Sequence, residues 1–323
     1  MSEAKYTPEE IISRLELKPV TQYQSEIIGS PLEPSVVIAG AGSGKTETMS
    51  NRVLYLVANG FVTPDQILGL TFTRKAAGEL SVRIRKRLRQ LAAHKDFKHI
   101  VSTSTSVTTY HSYAGKLLSE HAIRYGIDAD AEPLGEAAIW QIASDVVRNW
   151  SDDSYRNQSA VSTVIKDLLG LSKLMLEHQV KAEDIERIGN EVLSALAPLQ
   201  GASNGEVRDV AKAMRQRNSL LPMVETFMQR RKAAGEFSFD DQMSLAADIA
   251  QNFEDVGVLE RGKYKVVLLD EYQDTSQSQV RMLSSLYGGG HPVMAVGDPS
   301  QAIYTWRGAS AGTMASFAKY FPK

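Results

Sequence analysis

Residues 36–46 combine an apolar, β-branched run with three spaced glycines and a closing Lys-Thr pair. This order is the sequence pattern of a strand, a phosphate-binding loop and a helix. Glycines in such a loop allow successive backbone N–H groups to converge on a phosphate, and the following helix points its positive end at the anion. The segment therefore predicts a nucleoside triphosphate site where a strand runs into a helix.

The residues of this loop have distinct predicted roles. Lys45 supplies a cation for the β- and γ-phosphates, and the Thr46 hydroxyl is a ligand for Mg²⁺. Ala39 stands where the strict pattern has Gly, a position that needs only strand-like backbone angles. A glycine-rich turn without a ligand is the alternative, which the strand before the loop and the helical pattern after it disfavour. The predicted nucleotide contacts are Ala41, Gly42, Ser43, Gly44, Lys45, Thr46 and Glu47.

Composition narrows the chemistry that the chain can perform. The 323 residues include no cysteine, and the six histidines show no paired spacing, so any metal is expected to be Mg²⁺ carried with the nucleotide. No stretch has the apolar length that spans a bilayer, and the first residues lack a secretory signal, so we expect no membrane partner and a cytoplasmic location. A net charge of −2 means that nucleic-acid binding must be argued from local patches.

Strand-like and helical patterns alternate in the outer parts of the chain. Apolar runs at 36–39, 67–73, 265–269 and 292–296 predict strands, with helical patterns between them. This alternation predicts an α/β fold with a parallel sheet, helices on both faces and ligands at the carboxyl ends of the strands. After residue 73 the pattern predicts an amphipathic helix with a basic outer surface, which could also be only a solvated face. Its apolar positions are Ala77, Leu80, Ile84, Leu88 and Leu91.

The middle third of the chain has an almost entirely helical pattern. Helices are predicted at 138–150, 164–175 and 207–232. We interpret residues 113–235 as an all-α domain inserted into an α/β domain formed by residues 1–112 and 236–323.

Two further apolar runs end in polar residues. Asp270 and Glu271 follow four apolar residues, and two adjacent acids at the end of a buried strand are costly unless they face a cation or a solvated cleft. With the phosphate loop, this pair predicts that Asp270 holds Mg²⁺ beside Thr46, while Glu271 orients and deprotonates the attacking water. An acid pair alone is more often the start of a solvated turn, and the preceding apolar run favours the site.

The run that ends at residue 296 leads into a segment with two aromatic residues and an arginine. Tyr304, Trp306 and Arg307 lie close in sequence to the predicted nucleotide site and could stack on nucleic-acid bases. Packing of the two aromatic rings in a core is an equal alternative.

Taken together and in order, these segments resemble the motifs of UvrD, PcrA and Rep type superfamily 1 DNA helicases. The resemblance implies a RecA-like ATP-binding motor domain interrupted by a helical insertion, with ATP and Mg²⁺ as cofactors. The matching segments are 39–46 (motif I), 71–77 (motif Ia), 109–112 (the Thr-Phe-His-Ser element), 237–241 (Asp-Phe-Asp-Asp), 270–275 (motif II) and 296–308 (motif III).

The resemblance also assigns roles to single residues. It implies that Gln24 reads adenine, although residues 20–23 depart from the usual Leu-Asn-Pro-Glu, and that Gln301 senses the γ-phosphate. Glu47 stands where relatives often have arginine, and Arg74 replaces a common asparagine. Phe72 could instead fill the core, and His111 could be a structural hydrogen bonder. The residues implied to contact DNA are Phe72, Arg74, His111, Tyr304, Trp306 and Arg307.

The resemblance finally predicts the activity and partners. It implies a 3′ to 5′ translocase on single-stranded DNA that acts at duplex junctions, with repair or recombination proteins as partners. The sequence stops before the expected motif IV and second motor domain, so we hypothesise an N-terminal part that is nearly inert alone. The motor of a recombination helicase-nuclease, a P-loop ATPase that moves a protein or solute, and a non-catalytic binding module are the alternatives.

Overall fold

The computed structural model describes residues 4–98, 100, 104–128, 130–151, 160–199, 205–303 and 312–323. By their internal contacts the residues form two compact units, Met1–Leu117 with Ala246–Lys323, and Leu118–Leu245. The domain boundaries expected from the sequence, at 112/113 and 235/236, remain a prediction.

The first unit is built on a parallel sheet of five strands in the order β1-β5-β4-β2-β3. Every residue of β2, β4 and β5 is buried, as expected for strands covered on both faces. The predicted α/β fold with a parallel sheet is therefore confirmed. The strands are β1 (Ser35–Ile38), β2 (Ile67–Thr71), β3 (Ser106–Thr109), β4 (Val266–Leu269) and β5 (Val293–Gly297).

Strand β3 was not expected from the sequence. Three of its four residues carry a hydroxyl, and three are only half-buried. It lies at one end of the strand order and pairs with β2 alone among the described strands. A short edge strand needs no continuous apolar run, so its sequence lacks the signal that marks the central strands.

Helices make up most of the remaining structure. They are α1 (Pro8–Arg14), α2 (Gln22–Ile28), α3 (Lys45–Ala58), α4 (Arg74–Ala93), α5 (Tyr110–His121), α6 (Glu136–Arg148), α7 (Val161–His178), α8 (Ala182–Leu196), α9 (Gly205–Ala233), α10 (Asp241–Asn252), α11 (Glu254–Lys263), α12 (Gln277–Tyr287) and α13 (Phe317–Tyr320). No helix among the described residues is both long and apolar enough to cross a lipid bilayer.

Helices α3 and α4 differ in how they are buried. All residues of α3 from Thr48 to Ala58 are buried, so this helix belongs to the core of the first unit. Helix α4 is amphipathic, and the Thr73 side chain caps it by accepting a hydrogen bond from Ala76 N at 3.1 Å. The prediction of its apolar face is confirmed, since the same five residues are buried: Ala77, Leu80, Ile84, Leu88 and Leu91.

The second unit contains α6 to α9, which pack around their own apolar core of residues such as Leu168 and Phe227. Helices α6, α7 and α9 lie where the sequence predicts helices, and α8 is additional. Near the end of this unit Asp241 is buried and forms an ion pair with Arg231. Its carboxylate also accepts hydrogen bonds from Ser238 N at 2.6 Å and Ser238 Oγ at 2.8 Å, which satisfies the buried charge.

Replacing a core leucine tests whether β4 carries the stability of the first unit. Leu268 is fully buried in β4, so we expect Leu268→Ala to lower the free energy of unfolding by about 2–5 kcal/mol in urea titrations. Leu259 on α11 is 57% exposed, and Leu259→Ala should change the same quantity by less than about 0.5 kcal/mol. Equal losses for the two variants would contradict the assignment of β4 to the core.

Candidate active site

Apart from Gln24 on α2, the predicted site residues that the structure describes follow the carboxyl ends of strands. The phosphate loop follows β1, Asp270 follows β4, and residue 298 follows β5. Phe72 follows β2, and His111 follows β3. Because all five strands are parallel, their carboxyl ends meet at one edge of the sheet. The strand order places β1, β5 and β4, which precede the predicted nucleotide residues, side by side. Next to them lie β2 and β3, which precede predicted DNA contacts.

Two of the three glycines in the phosphate loop have left-handed backbone conformations. Gly42 has φ 74° and Gly44 has φ 88°, while Gly40 has no positive φ. Gly44 precedes the first residue of α3, and the Ser43 hydroxyl donates a hydrogen bond to Gly40 O at 2.8 Å. These conformations are unfavourable for residues with a Cβ, so the two glycines are needed to form the loop in front of α3.

Gln24 lies directly against this loop. Its Nε2 donates a hydrogen bond to Ser43 O at 3.0 Å, and its Oε1 accepts one from Thr21 N at 3.0 Å. A Cβ added at Gly44 would lie 3.0 Å from Gln24 Nε2. The side-chain amide is thus held by both its oxygen and its nitrogen, next to the phosphate loop.

An ion pair joins the phosphate loop to the end of β4. Lys45 Nζ lies 3.2 Å from Glu271 Oε2, and the Lys45 side chain is only 12% exposed. Glu271 has φ 49°, a left-handed conformation that costs a non-glycine residue about 1–3 kcal/mol. Asp274 N donates a hydrogen bond to Glu271 O at 2.9 Å and helps to hold this conformation. Strained backbone of this kind is concentrated at functional sites.

Asp270 is a buried carboxyl group beside a second acid. It is 6% exposed, and its Oδ1 accepts a hydrogen bond from Glu271 N at 3.1 Å. Burial, and then the charge of Glu271, raise the pKa of Asp270 to about 6. A buried anion next to a like charge is stabilised by a cation. Since Mg²⁺ is commonly bound by one or two carboxylates together with substrate phosphates, Asp270 and the Thr46 hydroxyl fit this ion.

Gln273 is a site residue that the sequence reasoning missed. It is 1% exposed, and its Nε2 donates hydrogen bonds to Glu271 Oε2 at 2.8 Å and Asp274 Oδ2 at 3.3 Å. Its Oε1 accepts a hydrogen bond from Asp298 N at 3.0 Å. Gln273 therefore connects the acid at the end of β4 to the segment after β5. Its place in the 270–275 motif was a signal, but its hydrogen bond to Asp298, 25 residues away, was not apparent from the sequence.

Gln301 lies beside this connection and donates a hydrogen bond to Asp298. The hydrogen bonds from Gln301 and from Ser300 N hold the pKa of Asp298 below its usual value. Ile303 N donates a hydrogen bond to Asp274 Oδ1 at 3.0 Å, which attaches the segment after β5 to the end of β4. Tyr304, Trp306 and Arg307 lie outside the described residues.

Glu47 forms ion pairs with two arginines of α4. Arg83 Nη1 donates to its Oε2 at 2.9 Å, and Arg87 forms an ion pair with its other oxygen. Burial alone would raise the pKa of Glu47, but the two arginines lower it below the usual value. The first turn of α3 is thereby fastened to α4. Glu47 belongs to the predicted nucleotide contacts, and the sequence did not indicate that two arginines neutralise it.

The predicted DNA contacts that follow β2 and β3 lie at neighbouring positions. Thr71 and Thr109, the last residues of these strands, are partners in the register. Phe72 is half-buried, whereas Arg74 and His111 are exposed. The structure therefore brings the three side chains to the same stretch of the sheet edge.

Tyr110 connects this stretch to the segment that follows β4. It is 1% exposed, and its hydroxyl donates a hydrogen bond to Asp270 O at 3.2 Å. Burial and the nearby carboxylates raise the pKa of Tyr110 well above its usual value, so the hydroxyl remains a donor. The Thr-Phe-His-Ser element that residues 109–112 resemble has phenylalanine at this position, and phenylalanine has no hydroxyl to make this hydrogen bond.

The raised pKa of Asp270 predicts a stability change with a defined pH dependence. The pKa in the folded chain, about 6, exceeds the ordinary value of 3.8, so ionisation of Asp270 destabilises the fold as pH rises between these values. Asp270→Asn should therefore stabilise the chain by about 2–3 kcal/mol at pH near 8 and by almost nothing at pH near 4. Urea titrations at both pH values test this. The exposed control Asp65→Asn should show no such difference, and a destabilised Asp270→Asn at the higher pH would contradict the expectation.

Comparison with known proteins agrees with this geometry. Residues 20–322 match the UvrD/REP helicase N-terminal domain. The chain is 30% identical over 301 residues to ATP-dependent DNA helicase UvrD1 of Mycobacterium tuberculosis, covering 91% of this chain and 34% of the relative. It is 28% identical over 302 residues to ATP-dependent DNA helicase PcrA of Staphylococcus aureus, covering 93% and 36%. The chain thus spans about a third of the length of these relatives. With nearly all of its residues matched, the chain belongs to the UvrD/REP helicase N-terminal domain family.

Proposed function

We propose that this chain is the ATP-binding motor portion of an ATP-dependent DNA helicase that moves along single-stranded DNA in the 3′ to 5′ direction. The observation that carries the proposal is the Lys45–Glu271 ion pair. It joins a phosphate loop to an acid pair at the carboxyl edge of a parallel sheet, which is where such folds bind nucleotides. The two relatives described above are both named ATP-dependent DNA helicases.

In the proposed reaction the loop amides and Lys45 bind the β- and γ-phosphates, with Gln24 beside the base. Thr46 and Asp270 would hold Mg²⁺, which neutralises charge on the phosphate oxygens when bound. Glu271 orients the attacking water and accepts its proton.

Lys45 can exchange one anionic partner, Glu271, for another, the γ-phosphate of a bound nucleotide. A γ-phosphate entering the loop competes with Glu271 for the Lys45 ammonium group, since both are anions within reach of it. Transfer of Lys45 to the phosphate frees Glu271 to accept a proton from water. Nucleotide binding would thereby prepare the base in the same step.

DNA is proposed to bind beside the nucleotide site, at the carboxyl ends of β2 and β3. Phe72, Arg74 and His111 would contact a single strand, and Tyr304, Trp306 and Arg307 would add stacking and phosphate contacts. Gln273, which joins Glu271 to Asp298, supports coupling between this region and the nucleotide side. We further propose that the chain acts in the cytoplasm on junctions of single-stranded and duplex DNA, with repair or recombination proteins as partners.

Full turnover is proposed to require a second motor domain. An arginine supplied from outside the P-loop domain can raise phosphoryl-transfer rates by about 10³–10⁵. The sequence-based hypothesis that this chain alone is a weak ATPase therefore remains part of the proposal.

Nucleotide affinity tests the proposed roles of Lys45 and Glu271. We expect Lys45→Ala to weaken binding of a fluorescent ATP analogue at least about tenfold, because it removes the phosphate cation. Glu271→Gln should bind at least as tightly as the unmodified chain, because a neutral amide competes less for Lys45, while any basal hydrolysis falls by about 10²–10⁴. The exposed control Glu254→Gln should change neither quantity. Unchanged affinity in Lys45→Ala would refute the nucleotide site.

Single-stranded DNA affinity tests the proposed stacking role of Trp306. Loss of a base stack of about 1–3 kcal/mol should weaken binding of an oligonucleotide by roughly 5- to 150-fold in Trp306→Ala. Fluorescence anisotropy at several salt concentrations measures this affinity. Trp140→Ala, at a partly exposed position in α6, is the matched control and should bind as the unmodified chain does. Equal affinities for all three proteins would remove the stacking role.

A further inference from the structure

Helix α4 concentrates positive charge in a chain that is slightly acidic overall. Between Arg74 and Ala93 it carries seven basic residues and one acid, Glu79, a formal charge of +6. The whole chain has a net charge of −2. Such a concentration is a local electrostatic feature that the overall composition conceals.

Arg74 and Lys75 begin α4, and the other five basic residues of the helix fall into two groups. Arg83 and Arg87 pair with Glu47 and so serve the internal structure. Arg85, Lys86 and Arg89 are exposed, and none has an ion-pair partner among the described residues. We call these three residues the basic stripe. Their side chains are exposed, and no acidic side chain among the described residues neutralises their charge.

The side chains of the basic stripe lie next to one another on the surface of α4. Its side chains line a hollow of about 390 Å³ together with Val82 and Gln90. Spacings of three and four residues place all of these side chains on one helix face. With a rise of 1.5 Å per residue, the stripe begins roughly 16 Å along the helix axis from Arg74 and ends roughly 22 Å from it. It is therefore separate from the DNA contacts proposed at the sheet edge.

We propose that the basic stripe binds the phosphate backbone of duplex DNA, so that the motor portion has a second DNA contact on the flank of its sheet. Arginine forks match phosphate oxygens, and two groups of charge one helical turn apart can contact successive phosphates. The hollow is lined by no aromatic side chain among the described residues, whereas binders of single strands stack unpaired bases on aromatic rings. A duplex, whose bases are stacked internally, presents mainly phosphates to such a surface. This inference rests on the proposed function, since it extends the DNA contacts of that motor.

The test compares duplex binding of the intact chain with that of the triple variant Arg85→Ala, Lys86→Ala, Arg89→Ala. Alanine keeps the helix propensity, and Arg83 and Arg87 are left in place to hold Glu47. If the three cations neutralise three phosphates, the slope of log affinity against log salt for a blunt duplex should become shallower by about 2–3. The matched control Lys5→Ala, Lys18→Ala, Lys98→Ala removes the same charge from exposed positions elsewhere in the first unit and should leave the slope nearly unchanged.

Binding of single-stranded DNA and of an ATP analogue, measured on the same proteins, separates this inference from the proposed function. Both should be unchanged in the stripe variant. A duplex slope equal to that of the intact chain would overturn the inference and favour an acidic protein surface as the occupant. Equal changes in the stripe variant and the lysine control would also overturn it. Failure of the intact chain to bind ATP or single strands would refute the proposed function, whatever the duplex slope shows.

Discussion

A single lysine partly offsets the charge of two adjacent acids that follow a fully buried strand. β4 leads directly into Asp270 and Glu271, and burial together with their mutual repulsion disfavours ionisation of Asp270. Lys45, the first residue of α3, opposes this effect by its charge and pairs with Glu271. The candidate active site depends on this interaction, because without a cation the two carboxylates would be an uncompensated charge at the sheet edge.

Around this ion pair, buried polar side chains connect segments that are far apart in sequence. Gln273 fixes Glu271 on one side and the backbone of Asp298 on the other. A Cβ at Gly297 would overlap Gln273 Oε1, so the strand end is shaped for this glutamine. Tyr110 fastens the first turn of α5 to the backbone of Asp270. The Tyr110 hydrogen bond is buried and the two Gln273 hydrogen bonds are partly buried, so these contacts tie the segments that follow β3, β4 and β5 to one another.

The charges of α4 illustrate how one helix can serve two purposes. Its arginines that face α3 are paired with Glu47, and they fasten the helix that begins at the phosphate loop. Its charges on the opposite side remain exposed and unpaired among the described residues. Members of the two sets are only one or two positions apart in sequence, and the turn of the helix places them on different sides. Part of this basic run is therefore structural, and the rest is exposed surface to which we assign DNA binding only as a proposal.

The sequence by itself determined the features that depend on local pattern: the phosphate loop with its glycines and Lys45, the buried strands, the apolar face of α4, and the acids that follow β4. It did not reveal β3, whose hydroxyl-rich edge position needs no apolar run, or the pairing of Glu47 with Arg83 and Arg87. Only the tertiary structure decided that β5 and β4 lie between β1 and β2. That order alone brings Lys45 to Glu271 across more than two hundred residues, because through-space pairing leaves no periodic trace in the chain.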